Sequence, residues 1–97
     1  MAAPRRPGAP RTLTHRETPR FRRAVALLAR RLRRLRADRE WTQEETAERI
    51  GVEPQYLRRL EAGSVNPSLA VLLSVAHAFG VDVGELVGEV RGPTDAG

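Results

Sequence analysis

Between Thr42 and Asp82 the sequence is punctuated by helix caps and helix-ending glycines so closely that only short helices fit between the marks. Thr42 is a good helix cap, and Glu45 three residues on completes a capping box, in which each side chain satisfies an orphan N–H of the other residue. Gly51 marks the end of that helix, because a left-handed backbone costs glycine least. Pro54 suits the first position of the next helix, where its missing N–H costs nothing, and Gly63 closes it. Pro67 and the cap Ser68 open another helix, Gly80 ends it, and Asp82 with Glu85 makes a second capping box. Connections of about three to five residues force compact antiparallel or steeply crossed neighbours.

Upstream, Phe21, Val25, Leu28, Leu32 and Leu35 recur at intervals of three and four. They predict a first helix starting after Pro19 and ending near Asp38 or Arg39. Trp41 then returns to plug the core. The second helix, about 43–50, turns Ala47 and Ile50 inward; the third, about 54–62, turns in Leu57 and Leu60. The fourth is expected to bury Leu69, Leu72, Leu73, Ala76 and Phe79, and a short fifth to bury Val83 and Leu86. The expectation is an all-α, compact five-helix domain over residues 21–87, with a single small core. A disordered basic arm, residues 1–20, precedes it, and a flexible tail, 88–97, follows.

Charge is distributed unevenly along the chain. Residues 1–60 hold sixteen arginines against seven acids, whereas residues 61–97 hold Arg91 against five. The first part is suited to meeting a polyanion and the second is not. Lysine is absent. That has a compositional reading in the coding bias of a G+C-rich genome and a chemical one in the bidentate fit of arginine to phosphate and guanine. The arm, with four prolines and Arg5, Arg6, Arg11, Arg16 and Arg20, is either a DNA-tracking segment or a solubilising tail.

Several classes of function are excluded. Without cysteine there are no disulfides and no thiolate metal sites, which is compatible with a reducing compartment. His15 and His77 stand far apart without cysteine or paired carboxylates, so no metal and no cofactor is expected. Ser64, Ser68 and Ser74 have no histidine–acid arrangement beside them, and the acids of the second helix are accounted for by capping and the helix dipole. The chain is not expected to be an enzyme. No apolar run is long enough to cross a membrane, and the basic start lacks the features of a secretory signal.

The third helix carries the informative chemistry. If Leu57 and Leu60 face inward, then Gln55, Arg58, Arg59 and Ala62 form one outward stripe. A helix fits the major groove of DNA, where arginine reads guanine with two bonds and glutamine reads adenine. The cap region at Thr42 can meet a phosphate. Arg33, on the first helix and off its apolar stripe, could reach only the DNA backbone or solvent.

The order of these features, from RLRRLRADREWTQEETAERIG through VEPQYLRRLEAG to NPSLAVLL and GVDVGELV, resembles the helix-turn-helix domain of the Cro/C1/XRE class of phage and bacterial repressors. Restriction-modification controllers and antitoxins share the same order. The resemblance covers about positions 28–87. It implies a lambda-repressor-like fold in which Gln43 meets a phosphate and braces the recognition helix. It also implies that Pro54, Gln55, Arg58 and Arg59 read bases and that the Tyr56 hydroxyl reaches a phosphate. Arg36 and Glu61 would form an ion pair between the first and third helices.

Four positions depart from the family pattern. Glu53 stands where serine or threonine caps the third helix; it is a poorer cap and could instead accept from a cytosine amino group. Thr46 replaces a core leucine. Glu40 stands where glycine is common. The loop Ser64, Val65 and Asn66 has none of the basic residues that some relatives place against phosphate.

The function implied is a sequence-specific regulator of transcription that binds double-stranded DNA as a homodimer on a palindrome, in the bacterial cytoplasm at the nucleoid. Candidate dimer surfaces are the fifth helix with its preceding loop and the start of the first helix around Phe21 and Val25. The alternative is an antitoxin-like module whose main partner is a small protein.

Overall fold

The computed structural model describes residues 18–88. The arm predicted for 1–20 lies outside them but for its last three residues, as do His15 and the tail from 89 onward. Among the described residues there are five helices and no strand: α1 Pro19–Arg39, α2 Gln43–Ile50, α3 Pro54–Ala62, α4 Leu69–Phe79 and α5 Val83–Val87.

The helix ends follow from local chemistry. Thr18 caps α1, its Oγ1 accepting from the Phe21 N–H at 3.1 Å, so the helix begins at Pro19 itself rather than after it. At Thr42 both halves of the capping box form: the Glu45 N–H donates to Thr42 Oγ1 at 3.0 Å and the Thr42 N–H to Glu45 Oε1 at 2.8 Å. Ser68 Oγ accepts from the Val71 N–H, and Glu85 Oε2 accepts from the Asp82 N–H. Helices α2, α3 and α4 close on Gly51, Gly63 and Gly80, each with positive φ. Helix α1 instead closes on Glu40, at φ 57° and ψ 36°, a left-handed conformation that an L side chain resists. Two bonds hold that turn, Glu40 N–H to the Ala37 carbonyl and Trp41 N–H to that of Arg36.

Helix α1, roughly 32 Å long at 1.5 Å per residue, packs on α3 and α5; α2 packs on α3 and α4, and α4 on α5. The shared core holds Leu28, Leu32, Ile50, Leu57, Leu60, Val75, Phe79 and Leu86, with Leu32, Leu57 and Leu86 sealed completely. Thr46 is also fully buried, and its hydroxyl is satisfied by the Thr42 carbonyl at 2.8 Å. A polar atom replaces leucine volume there at little cost, because the bond is internal to the helix.

One core expectation is corrected, the inward stripe of α4. Leu69 and Leu73 are 66% and 54% exposed, and Val75 takes the inward position instead. The segment Leu69–Phe79 is apolar nearly all round, so its periodicity does not fix which side faces in. With about 100° per residue, the buried face centres near Leu72, Val75, Ala76 and Phe79, turned roughly 50° from the expected stripe. Trp41 returns to the core as expected, half-buried against it. It stacks on Phe79 with ring centroids 5.1 Å apart, and the Arg49 guanidinium covers it at 4.1 Å. Arg39 lies 5.0 Å from the Phe79 ring and donates to the Phe79 carbonyl at 2.6 Å, tying the end of α1 to the end of α4.

Candidate nucleic-acid interface

Helices α2 and α3 are separated only by Gly51, Val52 and Glu53. Two bonds at the glycine turn set their angle, Gly51 N–H and Val52 N–H both donating to the Ala47 carbonyl. Leu57 and Leu60 lock one side of α3 into the core. The opposite side is left to Gln55, Arg58, Arg59 and Ala62, all exposed. These four lie one and two turns apart along a single line, the arrangement a groove-reading helix needs.

Arg58 is already organised before any ligand arrives. Its Nη2 donates to Gln55 Oε1 at 3.0 Å, and its Nη1 lies 3.9 Å from Glu44 Oε2 of α2. Glu44 was not among the site residues expected from the sequence. Its proximity to Arg58 depends on how α2 crosses α3, which no local pattern encodes. Arg59 keeps its side chain exposed, while its carbonyl accepts from Ser64 at the end of the helix.

The α3 N-terminus is open. Glu53 occupies the cap position at φ −71° and ψ 146° but makes no side-chain cap bond, and Pro54 follows at the first helical position. The Glu53 carboxylate is exposed and the Tyr56 ring half-buried. Thr42 is exposed at the end of α2, its side-chain oxygen engaged in the capping box.

A buried glutamate anchors the other end of α3. Glu61 is 4% exposed. Arg36 of α1 binds it with two parallel bonds, Nε to Oε2 at 2.6 Å and Nη2 to Oε1 at 3.0 Å, and also donates to the Trp41 carbonyl. Gln43 Nε2 adds a third bond to Oε1 at 2.9 Å. Arg33 donates to the Glu61 main-chain carbonyl. The side-chain bond to Glu61 raises the Arg36 pKa further above the usual arginine value, against an opposing effect of burial. The pair thus unites α1, the start of α2 and the end of α3. Gln43 and Arg33, both expected at phosphates, sit around it, with Gln43 in a bracing position. Among the described residues no group of histidines and acids could hold a metal ion, and no helix is long and apolar enough to cross a membrane.

This helical pair, with one helix of exposed polar side chains braced by an ion pair, defines a helix-turn-helix domain. Residues 27–89 match the family described as helix-turn-helix domain, and the chain belongs to that family, with a DNA-binding domain of the Cro/C1/XRE type. It is 39% identical over 59 residues to the immunity repressor protein of Bacillus phage phi105, which covers 61% of this chain and 41% of the repressor. It is 46% identical over 54 residues to the uncharacterized HTH-type transcriptional regulator y4dJ of Sinorhizobium fredii, covering 56% of this chain and 70% of that one. The chain therefore spans less than half the length of the phage repressor. The crystal structure of the hypothetical transcription factor NHTF from Neisseria superposes with a TM-score of 0.64 at 29% identity, over 75% of this chain and 79% of that chain. These likenesses are to regulators of transcription and not to enzymes.

Proposed function

We propose that the chain is a transcriptional regulator that binds double-stranded DNA sequence-specifically, with α3 in the major groove. The observation that carries this reading is the division of α3 between Leu57, Leu60 and Glu61, all buried, and Gln55, Arg58 and Arg59, all exposed. Arg58 or Arg59 bonds guanine O6 and N7, Gln55 an adenine, and Glu53 and Pro54 border the outermost base. Thr42, Gln43, Tyr56 and Arg33 contact phosphates and set the register. The regulator works in the bacterial cytoplasm at the nucleoid, without cofactor or metal.

One domain presents few reading side chains, so a homodimer on a palindrome supplies the remaining specificity. Selection of bound duplexes from a random pool tests both points together. Two related half-sites with centres about 34–36 Å apart, or a multiple of that, are the expected result. A pool that shows no enrichment would exclude sequence-specific reading, and a lone half-site would exclude the dimer.

A second reading, an antitoxin-like module with a small protein as main partner, draws on the exposure of Leu69 and Leu73. Stable co-purification with such a partner would favour it, whereas duplex binding with a steep salt dependence favours the first.

A further inference from the structure

Beside the C-terminal end of α3 lies an open groove of about 670 Å³ that the base-reading residues do not use. One wall is α1 from Phe21 to Arg33, with Arg22, Arg30 and Arg33. The other is the segment 62–66 that leaves α3, with Ser64 and Asn66. Small and apolar residues such as Ala26 and Ala29 form the floor, and among the described residues no acidic one lines it. The nearest carboxylate along α3, that of Glu61, is taken up by Arg36 and Gln43.

Two of the three arginines stand in line. Arg22 and Arg33 are eleven residues apart, three turns plus about 20°, so they stand almost in line roughly 16 Å apart along α1. Arg30 lies between them in height, about 80° round the helix from Arg22, and both Arg22 and Arg30 are exposed. A guanidinium offers five donors in a fork that matches phosphate oxygens, and Arg33 spends one of them on the Glu61 carbonyl. A row of such groups over that length fits a regularly spaced polyanion better than a single small anion. The loop beside it, Ser64 to Asn66, has hydroxyl and amide donors but no cation.

We infer that this groove takes the phosphodiester backbone of one DNA strand flanking the base-reading site, with the α1 arginines supplying the charge that the 64–66 loop lacks. The inference rests on the DNA-binding reading above and extends its Arg33 contact to Arg22 and Arg30, which that reading does not use. Its placement follows from the groove wall being the direct continuation of α3, so a duplex engaged by Gln55, Arg58 and Arg59 carries its backbone past it. Such contacts would add affinity and salt dependence without sequence preference.

The test uses the full 97-residue chain carrying Arg22→Gln with Arg30→Gln, and separately Ala26→Glu, which puts a carboxylate at an exposed position in the groove. Arg33 is left intact because it also holds α3. Each protein is titrated against the selected duplex and a scrambled one between about 50 and 200 mM salt, with melting temperatures as a check on folding. The double variant should flatten the slope of log affinity against log salt by roughly 1.8, about 0.9 for each lost contact, equally on both duplexes. Ala26→Glu should weaken both several-fold and leave their ratio unchanged. If the parent binds DNA with its preference intact but neither variant alters slope or affinity, the groove does not hold phosphate, and the base-reading assignment survives. If the variants lose binding to an oligoglutamate peptide but not to duplex, the groove serves an acidic protein and the inference fails. A parent that binds neither duplex removes both readings.

Discussion

Arg36 and Glu61 stand 25 residues apart in sequence and are joined by two parallel bonds, with the carboxylate 5% and the guanidinium 23% exposed. That asymmetry decides what each deletion does. Arg36→Ala leaves a buried carboxylate with Gln43 as its remaining side-chain partner and should cost about 3–5 kcal/mol. Glu61→Ala frees a guanidinium that can turn toward water and should cost less, about 1–3 kcal/mol. Thermal melts of the two variants check the order; equal losses would mean that the carboxylate is not the more dependent partner. Because the folded Arg36 pKa is raised, its contribution is fully present below the unfolded arginine value and is lost only as pH rises through the still higher folded one. The arginine side of the pair therefore does not titrate near neutrality.

Glu40 closes α1 in the left-handed region where the other three such positions are glycine. Its side chain is exposed, so Glu40→Gly should relieve strain with no packing loss. A gain of about 1 kcal/mol is expected, or roughly 4–8 °C in melting temperature for a domain of this size. An unchanged melt would show that the carboxylate contributes as much as the backbone strain removes.

Glu53 caps α3 in position but not in bonding. Serine in its place should accept from a first-turn N–H and stabilise the domain by about 0.5–2 kcal/mol. It also removes a negative charge from the DNA-facing end. If Glu53 only lowers affinity, Glu53→Ser should bind every duplex more tightly. If it reads cytosine, binding to the selected site should weaken while binding to scrambled DNA strengthens.

Arg58→Ala or Arg59→Ala should cost about 1–3 kcal/mol on the preferred site and much less on random duplex. Arg33→Ala loses the bond to the Glu61 carbonyl, so its melt should fall while the ratio between duplexes stays fixed. Titration of all three against both duplexes at one salt concentration is the measurement. If neither Arg58 nor Arg59 alters the ratio, specificity must come from Gln55, Glu53 or the deformability of the DNA.

How much of this was legible in the sequence varies with the range of the interaction. The all-α class and the helix ends at Thr42, Gly51, Gly63, Ser68 and Gly80 were readable because caps and left-handed turns depend on residues within a few positions of each other. The exposure of Gln55, Arg58 and Arg59 followed from Leu57 and Leu60. The orientation of α4 was not readable, since Leu69, Leu72, Leu73 and Val75 are all apolar and only packing against α2 and α5 chooses among them. Glu44 near Arg58, Arg39 across the Phe79 ring and the groove lined by Arg22 and Arg30 were likewise hidden, because each depends on the crossing of two helices rather than on spacing within one.

The two sides of α3 also bear on how such a protein can diverge. The residues that hold the helix, Leu57, Leu60 and Glu61, are interleaved with Gln55, Arg58 and Arg59 yet share no side-chain hydrogen bond or ion pair with them among those described. Drift at the outer positions can therefore change the recognised sequence in small steps, each sampled by a molecule that still folds. Duplicated copies of the gene could separate in target before they separate in architecture. For an engineer, the same layout makes positions 55, 58 and 59 a compact library for retargeting, with melting temperature as an independent control that should stay flat across it.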